Sequence, residues 1–331
     1  MFSFLYYSTE LLFCKGVLKN FLNKKIRMKI YSNITKFFIC ILFIFTYELV
    51  CDIIIAQNKF SDKIWGVIEM DIVDKNIDGG RAFDWGRVSD EYAKYRDIYP
   101  QEFYDKIIGR GLCADGQSVL DIGTGTGVIP RNMYRYGAKW TGTDISENQI
   151  KMANQLSEGM NIDYYVRPAE KLNFPDDSFD VITACQCFWY FDPKRTAPDF
   201  LHMLKKGGTL LVLYMAWLPY DDGIAGESER LVLKYNPKWS GAGETIHPIF
   251  IPDEYKNDFQ LVHHEEYPIN VHFTRESWHG RMKACRGIGA SLSEDEITQW
   301  EREHRKLLDE IAPEEFDVKH YAAIAELRSL K

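Results

Sequence analysis

Between residues 118 and 214, short apolar runs alternate with longer segments in which apolar residues recur at helical spacing. Such runs read as buried parallel strands, and the segments between them as crossover helices. The predicted strands are 119–122, 139–144, 164–168, 179–184 and 209–214. The predicted helices between them are 128–136, 146–158 and 193–204. Ser146 caps the second helix, with Ile150, Ala153, Asn154 and Leu156 turned partly inward. The third ends at Lys205-Lys206-Gly207-Gly208, a basic last turn and a glycine stop. Upstream, Ser89 before Asp90-Glu91 reads as another helix N-cap. Downstream, 223–235 reads as a helix, and 236–252 lacks any period and reads as a long loop, often a functional one. Segments 261–269 and 271–273 alternate, which predicts an antiparallel strand pair at the sheet edge. Helices are expected over 274–288 and 293–311, the latter opened by a Ser293-x-x-Glu296 capping box, and a short one over 320–330. No internal repeat is visible.

Residues 1–69 break this pattern. They are rich in Phe, Ile, Tyr, Lys and Asn, and carry net charge +4, which leaves −12 of the total −8 on residues 70–331. The apolar run 37–47 is too short to span a bilayer, and extending it to 37–55 would bury Glu48 and Asp52. Three readings stand: an uncleaved membrane anchor with its basic side cytoplasmic, a targeting segment, or a stretch outside the mature protein with initiation near Met70. The rest of the chain is acidic, which argues against a nucleic-acid substrate. The seven cysteines are odd in number and none has zinc-finger spacing, so they read as reduced thiols, with Cys185-x-Cys187 as core residues and no metal site.

The chemistry concentrates at Ser118-Val119-Leu120-Asp121-Ile122-Gly123-Thr124-Gly125-Thr126-Gly127. An apolar strand ends in an acid and then in three glycines at alternate positions. Glycines there let the chain turn tightly and bring bare backbone to a ligand, and the N-terminus of the following helix faces the same place. This is a nucleotide-type site at the carboxyl end of a first strand. A dinucleotide fingerprint needs Gly-x-Gly-x-x-Gly, whereas here the third glycine falls one residue early and Val occupies 128. Asp144 closes the second predicted strand, where an acid can take both ribose hydroxyls.

The spacing Asp121-x-Gly123-x-Gly125-x-Gly127 resembles motif I of class I S-adenosylmethionine (SAM) methyltransferases. The stretch Ala169-Glu170-Lys171-Leu172-Asn173-Phe174-Pro175-Asp176-Asp177-Ser178-Phe179-Asp180 is similar to a segment of the small-molecule enzymes of that class, those related to ubiquinone and menaquinone biosynthesis. The resemblance covers about 82–214. It departs mildly at Lys206, where relatives carry proline. It implies an α/β fold: a Rossmann-like, doubly wound, mostly parallel seven-stranded sheet with helical cap elements, over 70–331, the cap helices falling around 274–311. It implies SAM as cofactor, a small-molecule methyl acceptor, and a cytoplasmic location, or a membrane-anchored one through 37–55 with the catalytic domain cytoplasmic. Membrane association would arise only through residues 1–69.

By the same resemblance Gly123, Gly125 and Gly127 carry the amino-acid part of SAM, Asp121 orients that loop, Asp144 holds the ribose, Ala169-Glu170 meets the adenine, and Thr124, Ile145 and Gln186 complete the cofactor site. Tyr92, Tyr95 and Arg96 match a Tyr-x-x-x-Arg-x-x-Tyr-Pro lid segment over the cleft, where a ring face suits a sulfonium. The aromatic run Phe188-Trp189-Tyr190-Phe191 falls past a strand end and, with Trp217 and Arg281, forms the expected acceptor pocket, at least one of the four rings packing inward. Methyl transfer needs a base only if the acceptor must lose a proton. The candidates are Tyr190 and His247, then Asp192, His279 and Arg281; His263 and His264 receive no role. Adenine-N6 and cytosine-C5 branches are disfavoured, because Ala184-Cys185-Gln186-Cys187 stands where the former carry Asn/Asp-Pro-Pro-Tyr/Phe and there is no Pro-Cys pair. A non-catalytic SAM-binding protein and a nicotinamide-dependent oxidoreductase stay open as alternatives; glycine spacing counts against the second.

Overall fold

A computed structural model describes residues 72–75 and 77–331. The expectations for 1–69, including a span at 37–55, lie outside the described residues. Among the described residues no helix is long and apolar enough to cross a membrane.

Seven strands form one sheet: β1 (Ser118–Ile122), β2 (Lys139–Asp144), β3 (Ile162–Val166), β4 (Phe179–Cys185), β5 (Leu204–Trp217), β6 (Phe259–Thr274) and β7 (Glu315–Ser329). Their spatial order is β3-β2-β1-β4-β5-β7-β6. The first five are mutually parallel, and β7 runs antiparallel between β5 and β6. The helices are α1 (Ser89–Tyr95), α2 (Gln101–Gly109), α3 (Val128–Met133), α4 (Glu147–Leu156), α5 (Pro193–Met203), α6 (Gly223–Tyr235), α7 (Asp253–Lys256), α8 (Arg275–Lys283) and α9 (Glu294–Ile311). The expected doubly wound, mostly parallel architecture is therefore present. After β2 and β3 the chain returns past β1 to place β4, so the sheet has its switch point between β1 and β4, where a ligand crevice opens in such folds.

Val119, Leu120 and Ile122 are buried on both faces of β1, as a central parallel strand requires. Local capping works as expected at two helices. Ser146 accepts from Gln149 N at 3.4 Å to start α4, and Ser293 and Glu296 close a reciprocal capping box on α9. Along α9, Ile297, Trp300, His304 and Leu308 recur at three- and four-residue steps and are all buried.

Several expectations need correction. Segment 320–330 is not a helix. It belongs to β7, with Tyr321 to Ala325 buried and alternating between opposite faces of the sheet. Its alanines favour a helix in isolation, but pairing with two long neighbouring strands and burial of both faces override that propensity. The two strands expected over 261–273 are one strand, β6, whose partner is β7. Helix 274–288 is shorter, ending at Lys283. In α4, Ile150 and Ala153 face inward as expected, but Asn154 and Leu156 face solvent. Ser89 is not an N-cap: it is the first residue of α1, and its hydroxyl donates to Gly86 O at 2.6 Å. The cap lies earlier, at Asp84, which accepts from Gly86 N and starts a short 3-10 turn that runs into α1.

Candidate functional site

A cavity of about 570 Å³ opens over the carboxyl ends of β1, β2, β4 and β5. Its floor is the glycine loop. Gly123 has φ +64°, and a Cβ there would come 2.8 Å from the Cys187 side chain, so only glycine gives the loop this path. Gly125 N donates to Asp144 Oδ2 at 2.9 Å, and Ser146 N donates to Asp144 Oδ1 at 2.9 Å. Asp144 thus ties the ends of β1 and β2 together while lining the cavity; burial raises its pKa against these backbone donors. Ile145, Ala169, Glu170 and Gln186 also line it. Glu170 accepts from Asp192 N at 3.0 Å, and Gln186 (φ +66°) donates through its side-chain amide to Met215 O.

Not every glycine-loop residue reaches the cavity. Thr124 is buried, its amide donating to Thr143 O at 2.9 Å. Gly127 is the N-cap of α3 at φ +75°, and a Cβ there would come 2.3 Å from the Tyr164 hydroxyl. Both serve the turn and the close packing of α3, and neither lines the cavity.

Asp121 sits behind the loop, 1% exposed, and accepts from the Thr183 hydroxyl at 2.6 Å. Burial pushes its pKa up to about 6. Since this lies above the unfolded value of about 3.9, the folded state holds the proton more tightly, and stability falls as pH rises from about 4 to about 6. Asp121→Asn keeps an oxygen for Thr183 and removes the charge. It is expected to raise stability by about 1–3 kcal/mol at pH 7.5 and by much less at pH 4.5, read by urea unfolding. Equal differences at the two pH values would contradict this account.

One wall of the cavity comes from the segment before β1. The Tyr92 ring lies beside Gly125, with the Arg96 guanidinium 4.7 Å above it and Arg96 Nη2 donating to the Tyr92 hydroxyl at 3.3 Å. Trp85 meets Tyr92 and Tyr190 edge-on at 6.3 and 6.5 Å. Tyr95, expected with this group, instead points away: it packs on Gly280 of α8 and donates to Glu276 at 3.1 Å. Helical spacing alone cannot say which of two tyrosines three residues apart turns inward.

Of the residues expected to hold an acceptor, Trp189, Tyr190, Trp217 and Arg281 line the cavity. Phe188 does not. It is buried in the core against Tyr255, with ring centroids 4.8 Å apart. Tyr190 takes a hydrogen bond from Arg286, and burial holds its hydroxyl protonated with a raised pKa. His247 does not line the cavity; half exposed, it meets Glu244 at 2.7 Å, and it is Glu244 that lines it. Asp192 caps α5. His279 is buried in the cap, its Nδ1 2.9 Å from His304 Nδ1, and burial lowers its pKa to about 4. Neither faces the cavity. Cys185 and Cys187 do line it, as free thiols donating to the Tyr99 hydroxyl and to Ile122 O.

Other lining residues carried no decisive sequence signal: Tyr214, Met215, Trp239, Glu244 and Arg286. Trp239 and Glu244 lie in the aperiodic loop 236–252, whose length was the one available hint. Arg286 closes a network, bonding Asp78 at 2.8 and 3.0 Å, and Asp78 also accepts from Ser240 N at 2.8 Å. Residues 208 positions apart carry no pairing signal in one sequence.

Residues 120–212 match the family model described as a methyltransferase domain. Among curated relatives, ubiquinone biosynthesis O-methyltransferase of Coxiella burnetii is 30% identical over 39% of this chain and 56% of its own length. The enzyme of that name from Pseudomonas fluorescens is 33% identical over 38% and 54%. The 2-methyl-6-phytyl-1,4-hydroquinone methyltransferase of Synechocystis is 36% identical over 32% of this chain and 34% of that one. The chain spans about half the length, or less, of these relatives. The resemblance to class I methyltransferases of the ubiquinone-biosynthesis type thus extends from the motifs to the domain that holds β1 to β5.

Proposed function

We propose that this chain binds SAM over the ends of β1, β2 and β4 and catalyses methyl transfer to a small-molecule acceptor held under the cap. The observation that carries this reading is the convergence on one cavity of Gly123, Gly125, Asp144, Ala169 and Glu170 with Tyr92 and Arg96, around the segment matched as a methyltransferase domain. The residues fit the cofactor. A cavity of about 570 Å³ suits a ligand of that size, and Gly123, where a Cβ would strike the Cys187 side chain, lines it with bare backbone. Each Asp144 oxygen takes one backbone N–H and keeps a lone pair for a ribose hydroxyl. Gly123 and Gly125 offer backbone to the amino-acid portion, and Ala169 and Glu170 border the adenine.

SAM supplies an electrophilic sulfonium methyl. The protein's part is to hold acceptor and methyl in line, which by itself accounts for much of such catalysis. Tyr92, Trp85 and Tyr190, which line the cavity together, would offer rings that favour a cation. Tyr190, held protonated beside Arg286, is a positioning group, and the reading assigns no general base. Residues 70–331 form the methyltransferase domain, with α8 and α9 as its cap. The cofactor's cytosolic supply puts this domain in the cytoplasm, and the −12 charge of 70–331 disfavours nucleic acid as acceptor.

Thermal unfolding of the full chain tests this. SAM or its demethylated product at about a hundred times Kd is expected to add about 2.7 kcal/mol, a shift of several degrees, and NAD none. If SAM and product leave a folded protein unshifted, the reading falls; a shift by NAD alone favours the oxidoreductase. Binding without label transfer from methyl-labelled SAM to any acceptor would mark a non-catalytic binder.

A further inference from the structure

Among the described residues four arginines line the cavity, and their pairing differs; Arg167 donates to Leu172 O. Arg286 is neutralised by Asp78. Arg96 lies on the Tyr92 ring beside the glycine loop. Arg281, on α8, is 4% exposed, and its Nε and Nη1 have no hydrogen-bond partner among the described residues. It lies over the Trp217 ring at 4.9 Å, near the carboxyl end of β5. A buried guanidinium without a partner is costly, and it is retained where a ligand completes it.

We propose that Arg281 is the anchor for a carboxylate on the methyl acceptor, so that the substrate is a small organic acid. This rests on the SAM-dependent reading above. Trp217, under Arg281, closes β5, two strands from β1, while Arg96 and Tyr92 over the glycine loop are also neighbours of Arg281, so the cofactor's own carboxylate is the competing anion that the test below separates. Charge favours the acceptor. The cofactor carries a sulfonium, an ammonium and one carboxylate, so binding it leaves the cavity more positive and Arg281 still unmatched. The lining acid on this side, Glu244, is held by the hydroxyls of Tyr214 at 2.7 Å and Tyr321 at 2.9 Å and by His247. One unpaired guanidinium balances one negative charge, and its planar donors match a carboxylate. Burial, with Arg96 nearby, pulls the Arg281 pKa down to about 9, as expected of a cation short of an anion. Trp217 and Met215 give the acid an apolar body to lie against.

Benzoate and benzamide, equal in shape and differing in charge, are the probes, added to the full chain saturated with the demethylated cofactor product. Benzoate is expected to raise the unfolding temperature further, benzamide not. Arg281→Met should weaken benzoate binding at least tenfold while product affinity changes less than threefold, and Arg281→Lys should recover part of the loss. Equal responses to benzoate and benzamide, or an unchanged benzoate response in both variants, would overturn the proposal. A collapse of product affinity in Arg281→Met would also overturn it, by assigning Arg281 to the cofactor. If product does not bind the wild type at all, the SAM reading fails instead, and benzoate added alone still reports on the anion site.

Discussion

Asp144→Ala is expected to weaken binding of SAM and of its demethylated product by about a hundredfold, measured at temperatures where the variant is folded. The side chain has two tasks at one place. It accepts from Gly125 N and Ser146 N, each at 2.9 Å, and it faces the cavity where the ribose would lie. Hydrogen bonds to a charged acceptor are worth about 1.5–3 kcal/mol each, so losing two to the ribose costs about 3 kcal/mol or more, which is the hundredfold. The untethered glycine loop adds to the loss. Asp144→Asn keeps one acceptor oxygen and should fall between. Isothermal titration with the demethylated product measures this directly. A variant that binds within threefold of wild type would remove Asp144 from the cofactor site and with it the proposed orientation of the ligand.

Trp278→Ala should lower stability by about 3–5 kcal/mol and the unfolding temperature by roughly 10 °C. Trp278 is fully buried on α8, edge-on to Phe273 at 5.0 Å and Trp217 at 5.8 Å, and its indole donates to Ser228 Oγ at 2.9 Å. It joins the cap to the ends of β5 and β6 and so holds Arg281, three residues on, over Trp217. The loss should therefore appear also as weakened benzoate binding, at temperatures where the variant is still folded. Trp278→Phe is expected to recover much of the packing. A drop below 1 kcal/mol in urea unfolding would mean that the cap docks independently of this residue.

The parallel half of the fold was legible because each of its signals is local. The run 119–122 is apolar at three of its four residues because both faces of a central strand are covered, and it lies within β1. Ser146 and Ser293 name their helix starts because a cap acts over three residues. The glycine spacing and Asp144 identified the cavity floor because that floor is built at two adjacent strand ends. The antiparallel half was misread for the complementary reason. Residues 320–330 look helical by composition, and only their place between β5 and β6 makes them strand.

At the site the division is the same. The order of motifs along the chain determined the nucleotide-type floor, the resemblance to methyltransferases, and the expectation of SAM rather than a dinucleotide. The tertiary structure decided which side chains face that floor. It turned Tyr92 inward and Tyr95 outward, sent Phe188 into the core and Trp189 to the cavity, and kept His247 outside with Glu244 inside. It also brought Asp78 to Arg286 and left Arg281 Nε and Nη1 buried with no hydrogen-bond partner among the described residues. Spacing along a chain reports contacts within a turn or a strand, whereas the charge balance of a cavity is summed over residues hundreds of positions apart and exists only once the chain has folded.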